Sequence, residues 1–174
     1  IKQGIDEGDT NAMAYYGIMH QNGIVIPEDK QKAAEYFKMA IDKGNATVYS
    51  NYAELLYEGE GVTKDKKKAF KYYKLAAEQD EGEAMFKCYK MLHEGDGIAK
   101  DEDEAFKFLQ KACDNDVHNA LACYGDILYN KNEKGKAFDA YIKSSNHGNI
   151  HAHRCAGVML KDGDGVPKDI NEAA

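Results

Sequence analysis

The chain has 174 residues and a formal charge of −7, with 43% hydrophobic and 30% charged residues. That is enough apolar surface to bury and excludes a disordered chain, while lysines interleaved with Asp and Glu oppose a nucleic-acid partner, whose phosphates need clustered Lys/Arg. No run of about 18 apolar residues occurs and no charged-then-apolar leader opens the sequence, so neither a membrane span nor a signal peptide is expected in this segment.

Residues 1–7 align with the end of a helix, and the first complete unit follows. Its first helix carries Asn11, Ala14, Ile18 and Gln21 on one face, and its second runs through Lys32-Ala33-Ala34-Glu35-Tyr36-Phe37 to a stop near Gly44. The second unit shows the design most plainly. Val48, Tyr52, Leu55 and Leu56 have the spacing of an amphipathic helix, a loop Gly59-Glu60-Gly61-Val62 follows, and Ala69, Tyr72, Tyr73 and Ala76 mark a second helix ending near Asp80. The third unit repeats the loop as Gly95-Asp96-Gly97-Ile98 and ends near Asp116. In the fourth, the chain after Tyr129 reads Asn130-Lys131-Asn132-Glu133 without the double glycine, and the packing face stays in phase. A fifth first helix leads to Gly163-Asp164-Gly165-Val166, and Ile170 to Ala174 align with the start of another second helix.

The period is explicit in Ala33, Ala69, Ala105, Ala137 and Ala173, whose intervals are 36, 36, 32 and 36. Such a period marks an array of supersecondary units rather than one globular core. The first loop glycine suits a helix C-terminus at positive φ, and the second allows a sharp turn. Asp29, Asp65, Asp101 and Asp169 precede helical runs as N-caps, with Glu104 and Glu172 three residues after the last two, the spacing of a capping box. Gly17, Ala53, Gly125 and Gly157 on first helices, with Ala40, Ala76 and Ala112 on second helices, permit close antiparallel approach; Tyr89 breaks the series. The fold class predicted is all-α, an α/α superhelical solenoid of helix-turn-helix repeats. Residues 1–174 form a single array of about five units, cut within a repeat at both ends, and are expected to be a segment of something longer or to dock at their ends.

The string Gly-x-Gly-Val-x-Lys-Asp-x-x-Lys-Ala-x-x-Tyr-Tyr-x-x-Ala-Ala at Gly59 to Ala77 resembles the Sel-one-like repeat (SLR) family, related to tetratricopeptide (TPR) repeats. The resemblance implies a non-enzymatic adaptor or scaffold that mediates protein–protein interaction through a concave face lined by first helices, as a component of a multi-protein complex. On that face it places Ser50, Glu54 and Tyr57, then Phe86, Lys90 and His93, then Asp126, Tyr129 and Arg154 as partner-binding residues. Aromatic and cationic residues make the stronger anchors, though some of these rings can instead cover the neighbouring repeat. The partner expected is a protein or peptide. The first alternative is a structural spacer that touches its neighbours by loops and edges; the second is a secreted, hydrolase-like repeat protein. Some secreted relatives staple each helix pair with a disulfide, but where Cys113 would find its partner this chain has Leu121, so the staple is absent.

Cys88, Cys113, Cys123 and Cys155 form no CxxC or other metal spacing. Cys123 and Cys155 fall one helix-pair repeat apart, roughly 10 Å, beyond disulfide reach. Free buried thiols and a cytoplasmic location are expected, with the ER lumen or secretion as the alternative if a signal peptide precedes this segment. His147, His151, His153 and Cys155 are the densest set of potential ligands, and His147 to His151 has a helical metal-pair spacing, but Gly148 separates them into two helices. Asp162-Gly163-Asp164 lacks the glycine a calcium loop needs at its sixth position, where Pro167 stands. No metal, cofactor or catalytic residue is therefore assigned, and no GxSxG, HExxH or phosphate-loop string occurs. Asn45-Ala46-Thr47 is a formal glycosylation acceptor at a helix junction expected to be accessible.

Overall fold

A computed structural model describes residues 2–169. Ten helices follow one another among these residues, with no strand: α1 (Lys2–Asp6), α2 (Thr10–Asn22), α3 (Lys30–Asp42), α4 (Tyr49–Glu58), α5 (Lys66–Ala77), α6 (Gly82–Glu94), α7 (Glu102–Asp114), α8 (His118–Asn130), α9 (Lys134–Asn146) and α10 (Ile150–Asp162). The all-α, helix-turn-helix architecture is the one predicted. Contacts gather the chain into two compact units, Ile1–Ala105 and Phe106–Ala174, with α7 running across the division. In the first unit α2 packs on α3, α3 on α4, α4 on α5 and α5 on α6; in the second, α8 packs on α9 and α9 on α10.

The caps are those the sequence announces. Asp29 accepts a hydrogen bond from the Lys32 N–H, Asp65 from Lys68 and Asp101 from Glu104, each at about 3 Å, which satisfies one orphan donor at each helix start. The capping box at Asp101 is only half formed. The Asp101 N–H donates to the Leu92 carbonyl, and the Glu104 carboxylate turns outward to Lys74 at 3.0 Å. The expected capping box with Glu172, and the helix beginning at Ile170 with Ala173, lie outside the described residues.

Both loop glycines adopt positive φ, Gly59 and Gly61 at 80° and 70°, Gly95 and Gly97 at 71° and 78°, Gly163 and Gly165 at 70° and 80°. The second of each pair also lies against the N-terminal turn of the preceding second helix, where a Cβ on Gly61 would meet the Lys30 backbone and one on Gly165 the Lys134 side chain. In the first loop Val25 takes that second-glycine place, at φ 68°.

Small residues do bring the helices together. A Cβ on Gly17 would stand 2.6 Å from the Phe37 ring, and one on Gly125 equally close to the Tyr141 ring; Ala33, Ala40, Ala53, Ala105, Ala112 and Ala137 are fully buried. Ser144 occupies the place that Ala40 and Ala76 hold in other repeats. It is fully buried, and its hydroxyl donates to the His118 carbonyl at 2.6 Å, so the polar atom is satisfied within the α8–α9 pair.

Candidate functional site

The residues expected to face a partner fall into three groups. In the second unit, Asp126 and Tyr129 on α8 and Arg154 on α10 share one cleft of about 330 Å³ with Tyr141, His151, Cys155, Val158 and Met159. In the first, Ser50 and Glu54 on α4 line a smaller cleft of about 230 Å³ with Tyr73 on α5 and Glu81, Glu83 and Lys87 before and along α6. Tyr57, Phe86, Lys90 and His93 lie in neither.

Four of the expected anchors are engaged within the fold. The Tyr57 hydroxyl donates to Asp96 at 2.6 Å, Lys66 also bonds that carboxylate, and the Lys66 ammonium sits 4.9 Å over the Tyr57 ring. Tyr129, Asp164 and Lys134 repeat this arrangement, with the hydroxyl again 2.6 Å from its carboxylate. The acceptor in each case is the loop residue between the two glycines of the next repeat, so tyrosine and lysine together clamp that loop. Asp96 and Asp164 are held below the usual carboxylate range, first by the lysine bond and then by the tyrosine bond; the same carboxylate pushes Tyr57 up to about 12. Phe86 is 9% exposed and stacks on Tyr89 with ring centroids 5.7 Å apart, which removes most of its surface from a partner. His93 also stacks on Tyr89, with ring centroids 5.5 Å apart, and bonds Glu102 at 2.8 Å. Lys90 and Arg154 are exposed, as is Glu54, which accepts from Gln21 at 3.5 Å.

Within the smaller cleft two hydroxyls have no hydrogen-bond partner, Ser50 Oγ and Tyr73 Oη, although both atoms are buried. Burial, with Glu54 next in weight, raises the Tyr73 phenol far above its ordinary range, so it stays a protonated donor. Buried polar groups are nearly always paired, and these two belong to residues of a cleft that Glu54, Glu81 and Glu83 also line.

The larger cleft concentrates chemistry. The Asp126 carboxylate accepts from the Tyr141 hydroxyl at 2.7 Å and lies 3.0 and 3.1 Å from His151 Nε2; Cys155 Sγ is 3.7 Å from the same nitrogen. A Cys–His–Asp set suggests nucleophilic catalysis, which needs the base to take the thiol proton on one ring nitrogen while the acid orients the other. Here Cys155 Sγ lies almost equally far from both ring nitrogens, 3.7 Å from Nε2 and 3.9 Å from Nδ1, and so is in line with the lone pair of neither. Burial, followed by Asp126, also raises the Cys155 thiol, the opposite of an activated thiolate. The arrangement is that of a polar cluster, without the relay of a nucleophilic dyad.

Several sequence expectations are corrected. Of the four cysteines only Cys88 is fully buried; Cys113, Cys123 and Cys155 are half-buried. Burial pushes the Cys88 and Cys113 thiols up to about 12. Asn45 is not an accessible acceptor. It is 7% exposed, donates to Asn11 at 3.1 Å and accepts from the Thr47 N–H and hydroxyl at 2.9 and 2.6 Å. Gly148 does separate His147 from the helix of His151, as expected; within α10 His151 and Cys155 stand four apart, and His153 bonds Ser145 at 3.0 Å. The signal missed was an i, i+4 pair in one helix, completed by an aspartate one helix pair earlier.

A family model described as the Sel1 repeat matches residues 10–45, 48–81, 83–117 and 152–174. Comparison with curated proteins gives no match. Among solved structures the chain is similar to a protective antigen present in uropathogenic Escherichia coli strains, described as displaying an SLR fold, at 26% identity and a TM-score of 0.89, covering 99% of this chain and 38% of that one. It therefore spans well under half the length of that relative. A Sel1 repeat protein from Oxalobacter formigenes aligns at 26% identity and a TM-score of 0.85, over 94% of this chain and 69% of the other. An immunity protein from Pseudomonas aeruginosa, at 20% identity and a TM-score of 0.61 over 94% of this chain and 62% of its own, shares the fold.

Proposed function

The chain belongs to the Sel1 repeat family, whose members are generally non-catalytic protein-interaction scaffolds, and from that premise we propose that it is a non-enzymatic adaptor that binds a protein or peptide on its first-helix face, within a larger complex. The observation that carries this reading is the cleft at α4, where the buried hydroxyls of Ser50 and Tyr73 stand unpartnered beneath Glu54, Glu81 and Glu83. A buried hydroxyl without a partner costs about 1–3 kcal/mol. A basic side chain of a bound protein entering the cleft would face the carboxylates of Glu54, Glu81 and Glu83. Lys90 and Arg154, exposed on first helices of the two units, are the further contacts we assign to the partner, in place of the engaged rings of Tyr57, Tyr129 and Phe86. We read the whole chain as one array and, with its four cysteines present as thiols, place it in a reducing, cytoplasmic compartment.

A photo-crosslinking residue placed at Ser50, Lys90 or Arg154 in the native host should capture the same partner, and Glu54→Lys should abolish capture at Ser50. Capture only from the loop around Lys64, insensitive to Glu54→Lys, would instead favour the spacer that touches its neighbours by loops.

A further inference from the structure

We propose that Asp126, His151 and Cys155 form a three-ligand site for a zinc-class divalent ion, open to solvent in the cleft between α8 and α10. One carboxylate oxygen, one imidazole nitrogen and the thiol sulfur can be chosen that all lie within 4.8 Å of one another.

The geometry is close to that of a bound ion. A tetrahedral centre with bonds of about 2.0–2.1 Å to nitrogen and oxygen and 2.3 Å to sulfur has ligand-to-ligand edges of about 3.3–3.6 Å. His151 Nε2 stands 3.0 and 3.1 Å from the Asp126 oxygens and 3.7 Å from Cys155 Sγ. Those two edges bracket the ideal, and the third, between the Asp126 carboxylate and Cys155 Sγ, is at most 4.8 Å and closes by χ rotation of the half-buried Cys155.

Two helices supply the ligands in a way that limits the ordering cost. His151 and Cys155 are four apart on α10 and so share a face; Asp126 comes from α8, which packs beside it. The carboxylate is already oriented from behind by the Tyr141 hydroxyl at 2.7 Å, the kind of outer partner that fixes a ligand and is worth about 10–100-fold in affinity. Charge also balances. A doubly positive ion with a carboxylate and a thiolate is neutral, so neighbouring Arg154 imposes little repulsion.

The donor set selects the ion. Thiolate with imidazole and carboxylate suits Zn²⁺ and Co²⁺ and disfavours Mg²⁺ and Ca²⁺, which take oxygen ligands. Three protein ligands leave the fourth position facing the cleft, available to water or to a side chain of a bound protein. Binding displaces the thiol proton to solvent and forms one S–metal bond with no change in oxidation state.

The test uses the whole chain, freed of metal by a chelator and titrated with Zn²⁺ by calorimetry and with Co²⁺ by visible absorption. One equivalent should bind, with the intense d–d bands of a tetrahedral Co²⁺ site and a thiolate-to-cobalt charge-transfer band. Cys155→Ser should abolish that band, and His151→Ala should weaken Zn²⁺ binding by more than about tenfold. His147→Ala/His153→Ala should change neither. Absence of saturable binding, a cobalt spectrum unaltered in Cys155→Ser, or equal loss in the His147/His153 variant would overturn the site. Far-UV circular dichroism of each variant identifies an unfolded one, and in that event Asp126→Asn, which keeps the side chain's shape, replaces it as the deciding variant.

Discussion

The Tyr129 hydroxyl donates to Asp164 at 2.6 Å across 35 residues, and Tyr57 makes the same bond to Asp96, at the same length, across 39. The four-residue difference is the loop that the fourth repeat lacks. It falls between tyrosine and lysine, so Lys66 to Asp96 and Lys134 to Asp164 are both separated by 30 residues. Lys30 and Glu60 keep that separation too, at 3.4 Å.

Tyr57→Phe removes one hydrogen bond to a charged acceptor at the edge of the core. It should lower stability by about 1 kcal/mol, read from urea denaturation. In the Asp96→Asn background the same change should cost distinctly less, because the two groups then no longer share a charged bond.

Acid should loosen the clamps. Asp96 has its carboxyl held below the ordinary value of 3.8, first by Lys66 and then by Tyr57. A carboxylate depressed in the folded state contributes stability that is present above its unfolded pKa and is lost as the pH falls through its folded one. Thermal melting followed from neutrality to about pH 3 should show a fall below the usual carboxylate range, and Asp96→Asn should flatten part of it. An unchanged profile in that variant would mean the depressed carboxyl has no linkage to folding.

Gly125→Ala should destabilise the second unit. The new methyl would stand 2.6 Å from the Tyr141 ring, and overpacking of that kind costs about 1–3 kcal/mol, against about 1 kcal/mol gained in helix propensity. A net loss of up to about 2 kcal/mol by denaturation is expected. Tyr141 would be pushed from Asp126 as well.

Val25→Gly should stabilise. Val25 is 90% exposed, so no packing is lost, and its φ of 68° is one that a β-branched residue adopts at a cost of about 1–2 kcal/mol. Glycine gives back part of that gain as unfolded-chain entropy. A rise in melting temperature of about 2–4 °C corresponds to the remaining 1 kcal/mol or so.

Helices, caps, loop glycines and the alanine stripe were legible because each depends on residues within about one turn, or on a period the sequence states five times over. Asp29, Asp65 and Asp101 cap as expected for that reason. The candidate site was legible only in part. Whether Tyr57 or Tyr129 faces a ligand or holds a neighbour depends on an acid 35–39 residues later, and local pattern does not carry that distance. Phe86 shares its register position with buried Ala14 and Ala122 as well as exposed Arg154, and Tyr89, the one large residue in a series of small ones, offers it a ring to stack on. Asp126 lines the larger cleft together with Tyr129 and Arg154; its convergence with His151 and Cys155 required the lateral packing of α10 on α8.

Each clamp takes its tyrosine and lysine from one repeat and its acid from the next. During synthesis, a hairpin leaving the ribosome therefore stays unlatched until the following loop has emerged, and the latches close in order from the amino end. A truncation after α5 would leave Tyr57 and Lys66 with no Asp96, so a nascent chain halted there would be more open to proteolysis than one halted after the Gly95–Gly97 turn.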